Sequence, residues 1–256
     1  MNVDLGLAGK VVLVTGASTA IGKATALAFA EEKANIAVGY HSNAQAAAET
    51  VALAEQRGAR AIRWQLDLGQ PDSLQIAVEH AREELGPIDV LVNNAVRWPD
   101  WPQPDELFET APPERFTTSV NANLIGPYLL ARAVVADMRS HGWGRIVNVS
   151  TGLVEDGFPG NVSYIAAKAG LHGLTRVMSR ELAASGILTN VVMPGFTPAD
   201  KPLPPELIEQ AGTAAATRRV THPDDVARMI VFLCSTANTN TTGEAIRTDG
   251  HFLSPG

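Results

Sequence analysis

Short apolar, β-branched runs alternate with longer helical stretches along nearly the whole chain, and this alternation restricts the fold more than any other feature. Strand-like runs occupy residues 11–14, 36–38, 61–66, 88–92, 145–149 and 188–192, with a last short one at 245–248. Most are apolar without strict alternation, the pattern of strands covered on both faces. Helical patterns lie between them at residues 21–32, 44–56, 71–84, 114–139, 164–184 and 223–233. Strands that alternate with helices join by right-handed crossovers into a parallel sheet. The expected fold class is therefore α/β: a doubly wound parallel sheet of about seven strands with helices on both faces. Two proline-rich stretches, residues 98–104 and 194–205, each follow a predicted strand. Ligand crevices of open α/β sheets lie beyond the C-terminal strand ends, so these stretches read as pocket walls rather than linkers. The expectation is one domain over residues 1–256, with substrate loops around 96–112 and 195–221.

Composition narrows the partners. The 256 residues carry a formal net charge of −7, and the sequence pI is about 5.4. Nucleic acids and anionic membrane surfaces favour basic proteins, so neither is an expected partner. Cys234 is the only cysteine, which leaves no internal disulfide and no cysteine-based metal knuckle. That suits a reducing compartment. No leader-like start and no apolar run of membrane-spanning length is present, so a soluble, cytoplasmic protein is expected.

The first strand runs into Thr15-Gly16-Ala17-Ser18-Thr19-Ala20-Ile21-Gly22 and then a helix. A tight turn at this place brings backbone N–H groups and a helix N-terminus to a pyrophosphate. Gly16 lets the chain turn, and Gly22 lets the helix approach the sheet. Tyr164-Ile165-Ala166-Ala167-Lys168 lies on a predicted helix. Residues four apart share a helical face, so the phenol and the ammonium can act on one site.

These segments resemble the fingerprint of the short-chain dehydrogenase/reductase family, with its Rossmann-like sheet, TGxxxGxG turn and YxxxK motif. The resemblance covers nearly the whole chain. Asp67-Leu68 is similar to the acidic-apolar pair that receives the adenine. Asn93-Asn94-Ala95-Val96 resembles the family's NNAG, with Val96 in place of glycine; Asn94 and Ala95 would flank the cofactor. Pro194-Gly195 resembles the turn beside the nicotinamide, and Thr197 follows as a candidate partner of the carboxamide. In the glycine-rich turn, Ser18, Thr19 and Ile21 would line the cofactor with Gly16 and Gly22. Ala20 departs from the family, which has a glycine there.

The resemblance also implies the chemistry. For reduction, Tyr164 would donate a proton to a carbonyl oxygen while a nicotinamide supplies hydride. An unperturbed tyrosine titrates near pKa ~10, and a neighbouring ammonium favours the phenolate. Lys168 would lower the tyrosine in this way and hold the ribose hydroxyls. Asn123, set in register by Leu124 to Gly126 against the competing Asn121, would hold a water that links Lys168 to solvent. The family serine lies thirteen positions before the tyrosine, and that count reaches Thr151. Its hydroxyl would polarise the carbonyl. Ser150 is the alternative, although neighbouring strand residues point to opposite faces.

The second strand ends Tyr40-His41-Ser42-Asn43, with Tyr40 where NAD-preferring members carry an acid. Hydroxyl, amide and imidazole donors suit a 2′-phosphate, so NADP(H) is the expected cofactor and NAD(H) the alternative. Arg97-Trp98-Pro99-Asp100-Trp101-Pro102, Phe158 and Phe196 gather aromatics on loops near the crevice. Apolar pockets with few polar anchors suit a bulky ketone. The pattern is similar to 3-oxoacyl-carrier-protein reductases and to polyketide or naphthol ketoreductases, and the tryptophans favour the latter. A non-catalytic dinucleotide sensor is the competing class, since Ala20, Val96 and Thr151 all depart from the pattern. Family members pair subunits through the helices at 114–139 and 164–184. Small residues such as Ala166, Ala167, Ala169 and Gly170 permit close approach, and a homotetramer is expected.

Overall fold

The apolar runs form the strands β1 (Val11–Val14), β2 (Asn35–Tyr40), β3 (Ala61–Gln65), β4 (Val90–Asn93), β5 (Gly144–Val149), β6 (Ile187–Pro194) and β7 (Ala245–Thr248). The structure is a computed structural model that describes residues 4–98, 108–198 and 203–251. All strand pairs are parallel, in the order β3-β2-β1-β4-β5-β6-β7. Every residue of β1, β4, β5 and β6 is buried, which is why these runs lack polar alternation.

The helices are α1 (Ala20–Glu31), α2 (Ala44–Gln56), α3 (Pro71–Leu85), α4 (Pro113–Val120), α5 (Gly126–His141), α6 (Leu153–Asp156), α7 (Val162–Leu182), α8 (Pro205–Ala214) and α9 (Pro223–Cys234). Successive strand residues face opposite layers. Val12 and Val14 join Ile36, Val38, Val90 and Val92 under Ala26 and Phe29 of α1 and Ile230 of α9. Leu13, Leu91 and Ile146 face Val78 of α3, Leu130 and Met138 of α5 and Leu182 of α7. Chain order reverses between β1 and β4, so the crevice of this sheet opens beyond their C-terminal ends.

Three elements depart from the sequence expectation. The helix expected over 114–139 is α4 and α5 joined by a π turn at Asn121–Ile125. A Cβ on Gly126, where α5 begins, would stand 2.8 Å from the Leu68 carbonyl oxygen, so this close approach needs glycine. The single turn α6 and the helix α8 lie in stretches that read as loop. The start of α9 follows expectation: His222 caps it, its backbone N–H donating to Asp225 Oδ2 at 2.9 Å. Among the described residues, no helix is long and apolar enough to cross a membrane. No group of three or more His, Cys, Asp or Glu among them is placed to hold a metal ion.

Candidate active site

The glycine-rich turn joins β1 to α1 and is braced from β4. Gly16 has φ +65°, and a Cβ there would lie 2.9 Å from Ala95 Cα. A Cβ on Gly22 would collide with the Gly16 carbonyl. Both glycines are therefore demanded by close backbone approach. Asn94 Nδ2 donates to the carbonyls of Thr15 (2.9 Å) and Gly16 (3.2 Å). Thr15 Oγ1 accepts from the backbone N–H groups of Asn94 (3.0 Å) and Ala95 (2.9 Å). In the sequence Thr15 is only a hydroxyl at a strand end; its bracing role comes from a pairing across the sheet.

At Thr19, the cap of α1, the side chain makes no capping bond, and no acid stands in the first turn. A helix N-terminus directly after a glycine-rich turn presents backbone N–H groups and the positive end of its dipole, which fits a dinucleotide pyrophosphate. Ser18 and Ile21 flank the same turn. Ala20, where the family has glycine, adopts φ +47°, the left-handed region that disfavours a Cβ.

The other expected cofactor contacts gather at neighbouring strand ends. Tyr40 closes β2, and His41, Ser42 and Asn43 connect it to α2. The Asn43 side chain caps α2, accepting from Ala46 N at 3.0 Å. His41 Nε2 stands 3.7 Å from Asp67 Oδ2 across the crevice edge. Asp67 and Leu68 follow β3, and Asp67 Oδ1 accepts from Gly69 N at 2.8 Å. Pro194 ends β6. A Cβ on Gly195 would meet Asp249 Cβ at 2.6 Å. The Thr197 hydroxyl donates to the Gly195 carbonyl at 3.0 Å, which ties its side chain to the turn itself.

Beyond β5 and along α7 the reactive groups converge. Tyr164 is buried, with 5% of its surface exposed. Burial pushes its phenol well above the ordinary range, and a side-chain hydrogen bond with Thr151 acts in the opposite direction. Lys168 is also buried; its Nζ donates to the Val149 carbonyl at 2.7 Å and lies 6.0 Å from the Tyr164 ring centroid. Burial lowers the Lys168 ammonium to about 8. The sequence expectation that Lys168 pulls Tyr164 down thus meets a dry site in which desolvation dominates for both groups.

Ser150 and Thr151 turn to different partners. Ser150 Oγ donates to the Lys168 carbonyl at 3.2 Å and meets His172 Nε2 at 2.9 Å. With the serine proton committed to that carbonyl, the imidazole is the donor to Ser150 Oγ. Thr151 Oγ1 accepts from Leu153 N at 3.3 Å and bonds Tyr164. Asn123 sits in the π turn, fully buried. Its side chain accepts from Arg97 N and donates to Arg97 O, both at 2.9 Å, and also donates to Ser119 Oγ at 3.1 Å. The amide is occupied by the chain leaving β4.

That anchored chain leads to Trp98, whose ring lies 5.0 Å from the Tyr164 ring, centroid to centroid, at 30°. Trp98 is 64% exposed, and Phe158 and Phe196 are also exposed. Residues 99–107 of the first expected substrate loop, with Trp101, and 199–202 of the second lie outside the described residues.

The arrangement offers a buried phenol, a hydroxyl bonded to it, a buried amine and a braced glycine-rich turn at one end of one sheet. Comparisons with known proteins agree with it. A family model described as enoyl-(acyl carrier protein) reductase matches residues 16–252. The chain is 37% identical over 248 residues to the 3-oxoacyl-[acyl-carrier-protein] reductase FabG of Thermotoga maritima, covering 95% of this chain and 98% of that protein. It is 33% identical to acetoacetyl-CoA reductase of Shinella zoogloeoides, covering 94% and 97%. Among solved structures, 7α-hydroxysteroid dehydrogenase complexed with NADH and 7-oxo glycochenodeoxycholic acid superposes with a TM-score of 0.91 at 28% identity, covering 100% and 99%. The promiscuous reductase LugOII, which catalyses keto-reduction at C1 during lugdunomycin biosynthesis, gives 0.87 at 35% identity, covering 95% and 98%. The chain belongs to the short-chain dehydrogenase/reductase family of nicotinamide-dinucleotide oxidoreductases.

Proposed function

We propose that this protein reduces a bulky, ring-bearing ketone to a secondary alcohol with NADPH. The observation that carries the reading is the Thr151 hydroxyl bonded to the buried Tyr164, with the Trp98 ring tilted beside the phenol. The reduced nicotinamide, when bound, supplies the hydride. The chain supplies the rest. Burial keeps Tyr164 protonated at neutral pH, which is the state a proton donor needs. As charge develops on the carbonyl oxygen, Tyr164 Oη releases its proton to it and the Thr151 hydroxyl hydrogen-bonds it. Below pH about 8 the Lys168 ammonium carries its charge and favours the phenolate left behind. Asn123 fixes the backbone of Arg97 and so the placement of the Trp98 wall.

The glycine-rich turn and α1 bind the pyrophosphate. Asp67 and Leu68 receive the adenine, and the Pro194-Gly195 turn flanks the nicotinamide with Thr197. The absence of an acid at Tyr40-His41-Ser42-Asn43 supports NADPH over NADH. The whole chain acts as one dinucleotide-binding and catalytic domain, with substrate loops around 96–112 and 195–221. A homotetramer is supported by Phe116, Tyr128 and Val177, exposed on α4, α5 and α7. A second reading, 3-oxoacyl-carrier-protein reduction, is favoured by the likeness to FabG. Steady-state kinetics on α-tetralone and on ethyl acetoacetate, each with NADPH and NADH, separate these readings. The proposal expects the highest kcat/KM for α-tetralone with NADPH. A preference for ethyl acetoacetate favours the acyl-chain reading, and a higher kcat/KM with NADH overturns the cofactor assignment.

A further inference from the structure

The β7 side chain Arg247 makes contacts that the family chemistry leaves without a role. Its side chain is 26% exposed, and among the described residues its guanidinium faces three carboxylates. Nε donates to Asp249 Oδ2 at 2.7 Å, and a second nitrogen, on the same fork, stands 2.6 Å from that oxygen. The other arm reaches Glu155 Oε2 at 2.8 Å and Asp156 Oδ1 at 3.5 Å, with Asp156 Oδ2 at 3.4 Å from the shared nitrogen. Glu155 and Asp156 are the last residues of α6, the single turn that begins two residues after Thr151.

One helical turn has too few internal hydrogen bonds to hold its own shape. Here α6 also fixes the Thr151 hydroxyl, because Leu153 N donates to Thr151 Oγ1 at 3.3 Å. Gly152 N donates to the Pro194 carbonyl at 3.3 Å, and a Cβ on Gly152 would lie 3.2 Å from the Arg247 guanidinium. The opposite anchor is rigid. The Asp249 side chain is 3% exposed, and its Cβ packs where a side chain on Gly195 would otherwise stand. One guanidinium therefore fastens the turn after Thr151 to the Pro194-Gly195 turn, and a planar fork suits that task where a point charge does not.

We infer that Arg247 is a positioning residue for carbonyl reduction, acting through α6 to aim the Thr151 hydroxyl at the substrate oxygen. The inference rests on the proposed role of Thr151. Without the guanidinium, Glu155, Asp156 and buried Asp249 face one another as like charges, and α6 moves away from the strand end. A displacement of this kind, remote from the chemistry, can cost about a hundredfold in rate.

The test is a double-mutant cycle on the full-length protein, with kcat and KM for α-tetralone and NADPH measured for each member. Arg247→Met is expected to lower kcat by roughly tenfold to a hundredfold. KM for NADPH should stay within about threefold, since no turn residue that holds the pyrophosphate is touched. In a Thr151→Val background the same change should cost less than about threefold, because the hydroxyl it aims is gone. Arg247→Lys should recover only part of the rate. Should Arg247→Met fail to fold, Glu155→Gln with Asp156→Asn severs the same links without stranding a buried carboxylate, and the same coupling to Thr151→Val is expected. Equal losses in the two backgrounds overturn the inference and leave the role of Thr151 intact. A Thr151→Val enzyme with wild-type kcat overturns that role, and this inference with it.

Discussion

Ala20→Gly is the substitution for which the structure predicts a sign opposite to the usual one. Ala20 opens α1, where exchange of alanine for glycine in a right-handed helix costs up to about 1 kcal/mol. Its φ is +47°, however, and a Cβ in the left-handed region costs roughly 1–2 kcal/mol. Glycine removes that cost and returns roughly 0.5–1 kcal/mol in conformational entropy to the unfolded chain. The balance is a gain of about 0.5–1 kcal/mol. For a chain of this size, 1 kcal/mol moves Tm by roughly 2–4 °C, so the expected rise is about 1–4 °C. Thermal unfolding followed by circular dichroism reads it directly. NADPH fluorescence titration should show binding at least as tight as in the wild type, because the methyl at the pyrophosphate turn is gone. A fall in Tm would refute the left-handed assignment and, with it, the account of how this turn tolerates alanine.

Other expectations follow from the same geometry. Thr151→Val should lower kcat by roughly a hundredfold to a thousandfold, the loss of one preorganised donor to the carbonyl oxygen. Ser150→Ala should spare kcat, because Ser150 bonds the Lys168 carbonyl and His172 rather than Tyr164; the reverse pattern in steady-state assays would move the donor to Ser150. Lys168 sits below its ordinary value, at about 8, so its charged form prevails at lower pH and is lost as pH rises through that value. The kcat/KM for reduction should therefore decline above pH about 8, and a flat profile well beyond that value would remove the ammonium from the mechanism. Trp98→Ala should raise KM for α-tetralone by roughly threefold to tenfold, the worth of an aromatic pair, while KM for ethyl acetoacetate stays near wild type.

Long, strongly patterned features are legible in the sequence. The strand runs, the Gly16 and Gly22 turn and the Tyr164–Lys168 spacing all depend on residues near one another along the chain, and a parallel, doubly wound sheet follows from strand-helix alternation with right-handed crossovers. What escapes depends on residues far apart or on backbone geometry without periodic signal. The π turn at Asn121–Ile125 looks helical because helical backbone angles continue through it from α4 into α5. Helix α8 hides behind Pro204 and Pro205, with Gly212 near its end. Those residues read as loop, although proline suits a first helical turn. Arg247 pairs with Glu155 and Asp156 across the fold, and no local pattern announces such a pair. The direction of the Tyr164 shift also escapes, because sequence supplies the neighbouring lysine but not the dryness of the site.

Tyr164→Phe tests the central claim most directly, since it deletes one hydroxyl from a buried ring and leaves the packing in place. Ketone reduction with NADPH should fall by at least about a hundredfold, the usual contribution of a positioned general acid. Fluorescence titration of NADPH on the same variant should give a Kd close to wild type. Turnover within a few-fold of the wild type, with the fold and cofactor binding preserved, would contradict the account.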